Sequence, residues 1–362
     1  MTKDELLTEI LDIHAPIAAA GLLLPAAALS EPVPGADMEG WTRKDILAHV
    51  AWWNERSPRM IAGVRTNIDP YPSADGAGGD PWNLDTQNAD TLAAHRDRAA
   101  ADVVAWEAAS FRALVAAVAD ATPAELLTPV YRAWIVDGSL ADVIAEDSYT
   151  HYPEHVPHLG WTAPEADLRL HTPAAAGDAE AVRALLAAGA RVDDRDAAGQ
   201  TPLMVAVRGG HAAVAQMLLA GGAEVDARDG RLDTPFLAAG RDGNAPLLEL
   251  LAAVGANPAL TNRYGGTALI PACERGHLDA VRVLLTRTAV DMNHVNLLGW
   301  TGLMEAVILG DGGPVQQEIV GLLLAHGADP SIADLEGITA LEHAQRLGYT
   351  AIAALLEGAA RT

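Results

Sequence analysis

The sequence predicts an all-α protein in two parts: an antiparallel four-helix bundle over residues 1–161, followed by a solenoid of about six helical repeats over residues 168–362. Three observations lead there. A phrase recurs at nearly fixed intervals, Thr201-Pro202-Leu203, Thr234-Pro235-Phe236, Thr267-Ala268-Leu269, Thr301-Gly302-Leu303 and Thr339-Ala340-Leu341, with first spacings of 33, 33 and 34 residues; such a period belongs to stacked helical units. Four stretches with helical patterning precede it. A chain of 362 residues exceeds the usual size of one compact domain, and the repeats begin near residue 168.

In the bundle, residues 3–23 carry an apolar face of Leu6, Leu7, Ile10, Leu11 and Ile13. Residues 42–66 open with Thr42 at the cap position and Asp45 three residues on, an acidic relative of the capping box. After a loop rich in Gly and Pro, Pro70 to Pro81, residues 84–120 carry Val103, Val104, Trp106, Phe111, Leu114 and Val115. The fourth stretch, 138–152, runs into His151-Tyr152-Pro153-Glu154-His155. Links of this length place successive helices antiparallel.

The repeat beginning at Thr201 shows how each unit forms. The threonine hydroxyl caps a helix and Pro202 occupies its first turn. Gly209-Gly210 breaks it, and a second helix carries Val214, Leu218 and Leu219. Gly222-Ala223 then leads to a polar finger, Glu224 to Asp229. One unit buries too little to stand alone, so neighbours stack.

Charge and cysteine content narrow the function. The formal net charge is −24; residues 1–161 hold 24 acids and 10 bases, and the remainder 24 and 14. With no basic patch, direct nucleic-acid binding is not expected. The single cysteine, Cys273, excludes internal disulfides and a cysteine-based site in the first half, and it is expected as a small buried apolar residue. The apolar run Ala15 to Ser30 follows acidic residues and contains Pro16 and Pro25, so neither a signal peptide nor a membrane span is expected. A cytoplasmic protein is the expectation.

Chemistry is concentrated in the first half. His49 lies mid-helix among apolar residues, while His151 and His155 are four apart and share a face if the helix continues. Together they make a three-ligand site for one divalent metal, Zn, Ni, Fe or Mn, with a position left for water or substrate. Pro153 and Pro157 count against that geometry. Seven of eight tryptophans fall in residues 1–161; Trp41, Trp52, Trp53, Trp82 and Trp134, with Tyr152, are candidate walls of a small-molecule pocket, against plain bundle packing. Glu55 is a candidate base beside His49, against a solvated helix face. On the solenoid, Trp300, Asp311 in the insertion Asp311-Gly312-Gly313-Pro314, and Arg208, Arg241 and Arg275 are candidate partner contacts.

Two family resemblances follow from these motifs. The Thr-Pro-Leu opening, mid-repeat Gly, Val-x-x-Leu-Leu and Gly-Ala resemble the ankyrin repeat, over six units beginning near Leu168, Thr201, Thr234, Thr267, Thr301 and Thr339. The family's histidine after Thr-Pro-Leu is kept only at His171. The resemblance implies an unknown protein partner on the concave face and finger tips. Gly40-Trp41-Thr42-x-x-Asp45-x-Leu47-Ala48-His49, then Trp82-Asn83, then Ser148-x-x-His151-Tyr152-x-x-His155, resemble the DinB superfamily of four-helix bundles, and its ClbS/DfsB branch above others. Many members of that superfamily bind a divalent metal through one histidine of the second helix and two of the fourth, and the matching positions are His49, His151 and His155; in the ClbS/DfsB branch no metal is implied. The branch implies protection against a reactive natural product by hydrolysis or sequestration, other members imply metal-dependent thiol transfer or isomerisation, and a degenerate bundle on an ankyrin adaptor is the non-catalytic alternative.

Overall fold

The computed structural model describes residues 2–33, 40–66, 84–128, 139–159 and 167–359, and the chain divides into two compact units, Met1–Gly160 and Trp161–Thr362. Trp82, Trp134, Trp161 and the loop Pro70 to Pro81 lie outside the described residues. Among the described residues all regular structure is helical, apart from two isolated bridges.

The first unit is built on α1 (Lys3–Leu23), α3 (Arg43–Thr66) and α5 (Ala100–Asp120), with the short α2 (Ala26–Leu29), α4 (Leu84–His95) and α6 (Pro123–Leu127) between them. The fourth helical stretch is composite: α7 (Leu140–Ala145), a π-helical turn Glu146–Thr150, and α8 (Tyr152–Leu159). Capping sets the starts. Thr2 and Glu5 close a reciprocal capping box on α1. At α3 the Asp45 carboxylate accepts from the backbone N–H of Thr42 at 2.9 Å and from its hydroxyl at 2.7 Å, as the sequence predicts.

Helix α3 packs along α5, and α1 packs against α5 and α8. Leu6, Leu7, Ile10, Leu11 and Ile17 of α1, Ile46, Leu47, Met60 and Ile61 of α3, Val103, Leu114 and Val118 of α5, and Leu140 and Ile144 of α7 are all buried. Helix α1 alone, among the described residues, is long and apolar enough to cross a membrane by length and composition, and half of that stretch is buried inside the unit.

Two expectations change here. The stretch 84–120 is two helices: the Lys44 ammonium donates to the carbonyls of His95 (3.3 Å) and Arg96 (2.5 Å) at the end of α4, and Ala99 turns extended before α5. The fourth stretch does not end at Pro153. A wide turn precedes it, and Pro153 falls in the first turn of α8, where its missing N–H breaks no bond.

The second unit is six helix pairs, α9/α10 (His171–Ala176, Ala179–Ala187), α11/α12 (Pro202–Arg208, Ala212–Ala220), α13/α14 (Pro235–Arg241, Ala245–Ala253), α15/α16 (Leu269–Glu274, Leu278–Arg287), α17/α18 (Gly302–Ile308, Pro314–Ala325) and α19/α20 (Ala340–Arg346, Thr350–Ala359). The hydroxyls of Thr201, Thr234, Thr301 and Thr339 accept from the backbone N–H three residues on. Thr267 departs: α15 starts one residue later, and its hydroxyl has no hydrogen-bond partner among the described residues. One apolar core runs through all six pairs, and Cys273 lies fully buried in it, its thiol pushed up by that burial. Fingers are held by Asx turns and arginine staples: Asp196 accepts from Ala198 and Gln200, and the Arg228 guanidinium donates to the carbonyls of Leu232 and Thr261, both at 2.8 Å, joining consecutive fingers.

Candidate metal centre and partner surface

His49 projects from the middle of α3, while His151 and His155 follow the π-helical turn of the fourth stretch and lie four residues apart. Their ligand nitrogens all fall within 4.8 Å of one another. Nε2 of His151 is 3.2 Å from Nε2 of His49 and 2.8 Å from Nε2 of His155. Burial lowers the pKa of each ring, to about 3 for His155, where His151 and His158 add repulsion, and well below the usual value for His49, where His155 and His151 do the same. All three are therefore neutral near pH 7, with lone pairs to offer.

This donor set fits a divalent metal. Imidazole nitrogens bound about 2.0–2.1 Å from one zinc ion stand about 3.3 Å apart in a tetrahedral site, close to the spacings here. Nδ1 of His49 and Nδ1 of His155 are buried without a hydrogen-bond partner among the described residues, which leaves Nε2 as the polar end of each ring that has company. Three neutral imidazoles suit zinc, iron, nickel or copper better than calcium or magnesium.

Aromatic rings surround the cluster. Trp41 meets the His49 ring edge-on at 5.5 Å, and Trp53 stands 5.2 Å from His151 and donates its indole N–H to Nε2 of His49 at 3.1 Å. Trp52 is half-buried against Trp53.

Two expected roles are corrected by what these side chains touch. Glu55 does not join the cluster: its carboxylate accepts from the Trp106 indole at 2.7 Å and pairs with Arg59 at 2.6 Å. Tyr152 is fully buried and its hydroxyl donates to Oδ1 of Asn54, so it is a core residue and not a pocket wall. Sequence reasoning missed the buried polar group behind it. His14 pairs with Glu107 at 2.5 Å, and Asn54 reaches Glu107 and Ser110 at 3.4 and 3.3 Å. Polar residues on otherwise apolar helix faces were the available signal.

On the second unit, Arg208 pairs with Asp229 (2.8 Å), and Arg241 with Asp233 (2.6 Å) and Asp242 (2.9 Å). Asp229 and Asp233 are buried, so these arginines neutralise the solenoid's own carboxylates rather than stand ready for a partner. Trp300 is half-buried against the repeat core. Asp311 is exposed and accepts from Gly313 at 2.7 Å within a loop held by the Tyr349 hydroxyl on the Gly310 carbonyl, and Arg275 is exposed.

Two family models match the chain. The family model described as ankyrin repeats matches residues 158–229 and 235–334. A crystallised ankyrin repeat domain from Acinetobacter baumannii is 47% identical, with a TM-score of 0.52, covering 53% of this chain and 98% of that one. The chain belongs to the ankyrin-repeat family. The ankyrin repeat protein EF0377 is 38% identical with a TM-score of 0.51, covering 53% of this chain and 98% of that one. The ankyrin repeat protein YahD of Escherichia coli is 52% identical over 94 residues, 26% of this chain; the match spans about half of that relative, 47%. Ahead of the ankyrin unit, the family model described as the mycothiol maleylpyruvate isomerase N-terminal domain matches residues 10–146. The protein is thus a fusion of a DinB-like four-helix bundle with ankyrin repeats.

Proposed function

We propose that the bundle is a metal-dependent enzyme acting on an electrophilic small molecule, and that the ankyrin unit binds a protein that localises it. The observation that carries this reading is the convergence of three neutral imidazoles, the buried His49 and His155 and the half-buried His151, from α3 and the fourth helical stretch. When bound, a divalent metal supplies Lewis acidity that makes a water or a thiol nucleophilic at neutral pH. His49, His151 and His155 would hold it, His49 giving up the Trp53 indole bond to its Nε2, and the flanks of Trp41 and Trp53 offer an apolar wall to substrate. Glu55 has no part in this scheme, being engaged by Trp106 and Arg59.

Two nucleophiles give two outcomes. Water gives hydrolytic opening of an electrophile, the ClbS/DfsB-like reading; mycothiol or a similar thiol gives transfer or isomerisation, which the matched family model's description favours. The test is metal content by elemental analysis of untagged protein and of His151→Ala, followed by incubation with an epoxide and with maleylpyruvate, each with and without mycothiol. Stoichiometric metal lost in the variant, with turnover that depends on it, supports the reading. Absence of metal after reconstitution, or equal turnover by His151→Ala, removes it and leaves an ankyrin adaptor.

A further inference from the structure

Two residues of α3 grip two residues of the fourth helical stretch. Asn54 accepts from the Tyr152 hydroxyl, and Arg56 forms an ion pair with Asp147. All four are buried; Asn54 and Tyr152 are fully inaccessible. The gripping residues are two apart and the gripped ones five apart. In an α-helix residues five apart point about 140° away from each other at 100° per residue. On α3 the gripping pair likewise points to different sides, about 160° apart, so each contact anchors a different flank of the fourth stretch: Asp147 inside the π-helical turn Glu146–Thr150, and Tyr152 just after it.

The grip is braced from behind. The Asn54 amide is oriented by Glu107 and Ser110 of α5, and Glu107 by His14 of α1. The Arg56 guanidinium lies 5.1 Å from the Trp53 ring centre, and that indole donates to His49. His151 directly precedes Tyr152. If the wide turn closed into α-helix, the segment after it would swing by roughly 100°, one residue's rotation, carrying His151 and His155 away from His49.

We propose that Asn54 and Arg56 are positioning residues of the metal centre: by holding Asp147 within the wide turn and Tyr152 directly after it, they fix the turn against α3, and the turn sets the rotation that aims His151 and His155 at His49. The proposal rests on the metal-dependent reading above for its first readout and is independent of it for the second.

The first readout is cobalt(II) titration of full-length wild type, Tyr152→Phe and Arg56→Met, followed by visible absorption. The expected result is 10- to 100-fold weaker cobalt binding in each variant, the range seen when groups orienting a ligand are lost, with an altered band pattern in a chain still folded by circular dichroism. Cobalt affinity and spectrum equal to wild type in both variants overturns the proposal. The second readout is the 15N pattern of the three imidazoles in metal-free protein, expected to change for His151 and His155 in both variants. If wild type binds no cobalt, the metal-dependent reading falls, and this pattern decides: unchanged rings overturn the positioning role, changed rings uphold it. Should Arg56→Met unfold, Arg56→Lys takes its place under the same criteria.

Discussion

Nε2 of His49 and Nε2 of His151 stand 3.2 Å apart across 102 positions of sequence. Two imidazoles so placed cannot both be cationic; burial keeps both neutral, with repulsion from His155 and His151 adding to it at His49. Protons therefore compete little for the ligand nitrogens near neutrality. Apparent cobalt affinity is expected to change by less than about threefold between pH 8 and pH 6, where three ordinary histidines would lose roughly 50-fold. Titrations at pH 6, 7 and 8 check this, and a 50-fold loss would show that the rings titrate normally.

The same shifts act on stability without metal. Folded pKa values below the unfolded value mean that the stability of the bundle is complete above about pH 6.5 and is lost as pH falls toward 3, the value for His155. Metal-free His155→Gln is expected to flatten that acid loss, read as the urea midpoint between pH 7 and pH 4. A parallel decline in variant and wild type would rule the imidazole out as its source.

Trp53 donates to the very nitrogen, Nε2 of His49, that a metal needs. Trp53→Phe removes that competition, worth about 1 kcal/mol for one hydrogen bond, or about fivefold. Tighter cobalt binding is the expected outcome, alongside a bundle less stable by about 1–3 kcal/mol from the smaller ring. Weaker binding would assign the indole a supporting role toward the metal.

Glu305, buried on α17, accepts from the Asn296 amide at 2.9 Å, and burial followed by repulsion from Glu274 pushes its carboxyl up to about 8. A raised folded pKa gives stability that is full below the unfolded value near 4.5 and lost as pH rises through 8. Glu305→Gln keeps an acceptor for Asn296, so its Tm should exceed wild type by about 2–6 °C at pH 9 and match it at pH 4. An equal difference at both pH values would contradict the assignment.

Two glycines with the same backbone separate conformation from packing. Gly189 (φ +80°) has open space where a side chain would begin; at Gly299 (φ +82°) a Cβ would lie 2.5 Å from Cγ of Leu335 on the next finger. Gly189→Ala is expected to cost about 1–2 kcal/mol for the left-handed conformation, and Gly299→Ala at least about 1 kcal/mol more for the collision. Urea unfolding of both variants measures the difference, and equal losses would mean that the finger gives way.

The repeats were legible because each helix start depends on one local hydroxyl, and the periodic threonines at 201, 234, 301 and 339 cap as the sequence implies. Thr267 departs, its helix starting one residue later at Leu269, although Thr301 and Thr339 cap without a following proline as well. The three histidines were legible as residue types, but their approach was not: Pro153 argued against a continuous helix, and the wide turn that accommodates it depends on Arg56 and Asn54, 91 and 98 residues away. Glu55 was misread for the same reason. Its partner Trp106 comes from another helix, and no local pattern announces that the carboxylate is taken. Arg208 and Arg241 looked available until Asp229 and Asp233 of the neighbouring finger filled their reach.

Helix α1 places its apolar side against helices that come much later in the chain, with 93 positions separating His14 from its partner Glu107. At translation rates of about 5–20 residues per second, that interval lasts roughly 5–20 s. For those seconds a newly made helix as oily as a membrane anchor lacks the α5 face it packs against in the finished bundle, so the nascent bundle depends on whatever in the cell shelters exposed apolar segments until α5 arrives.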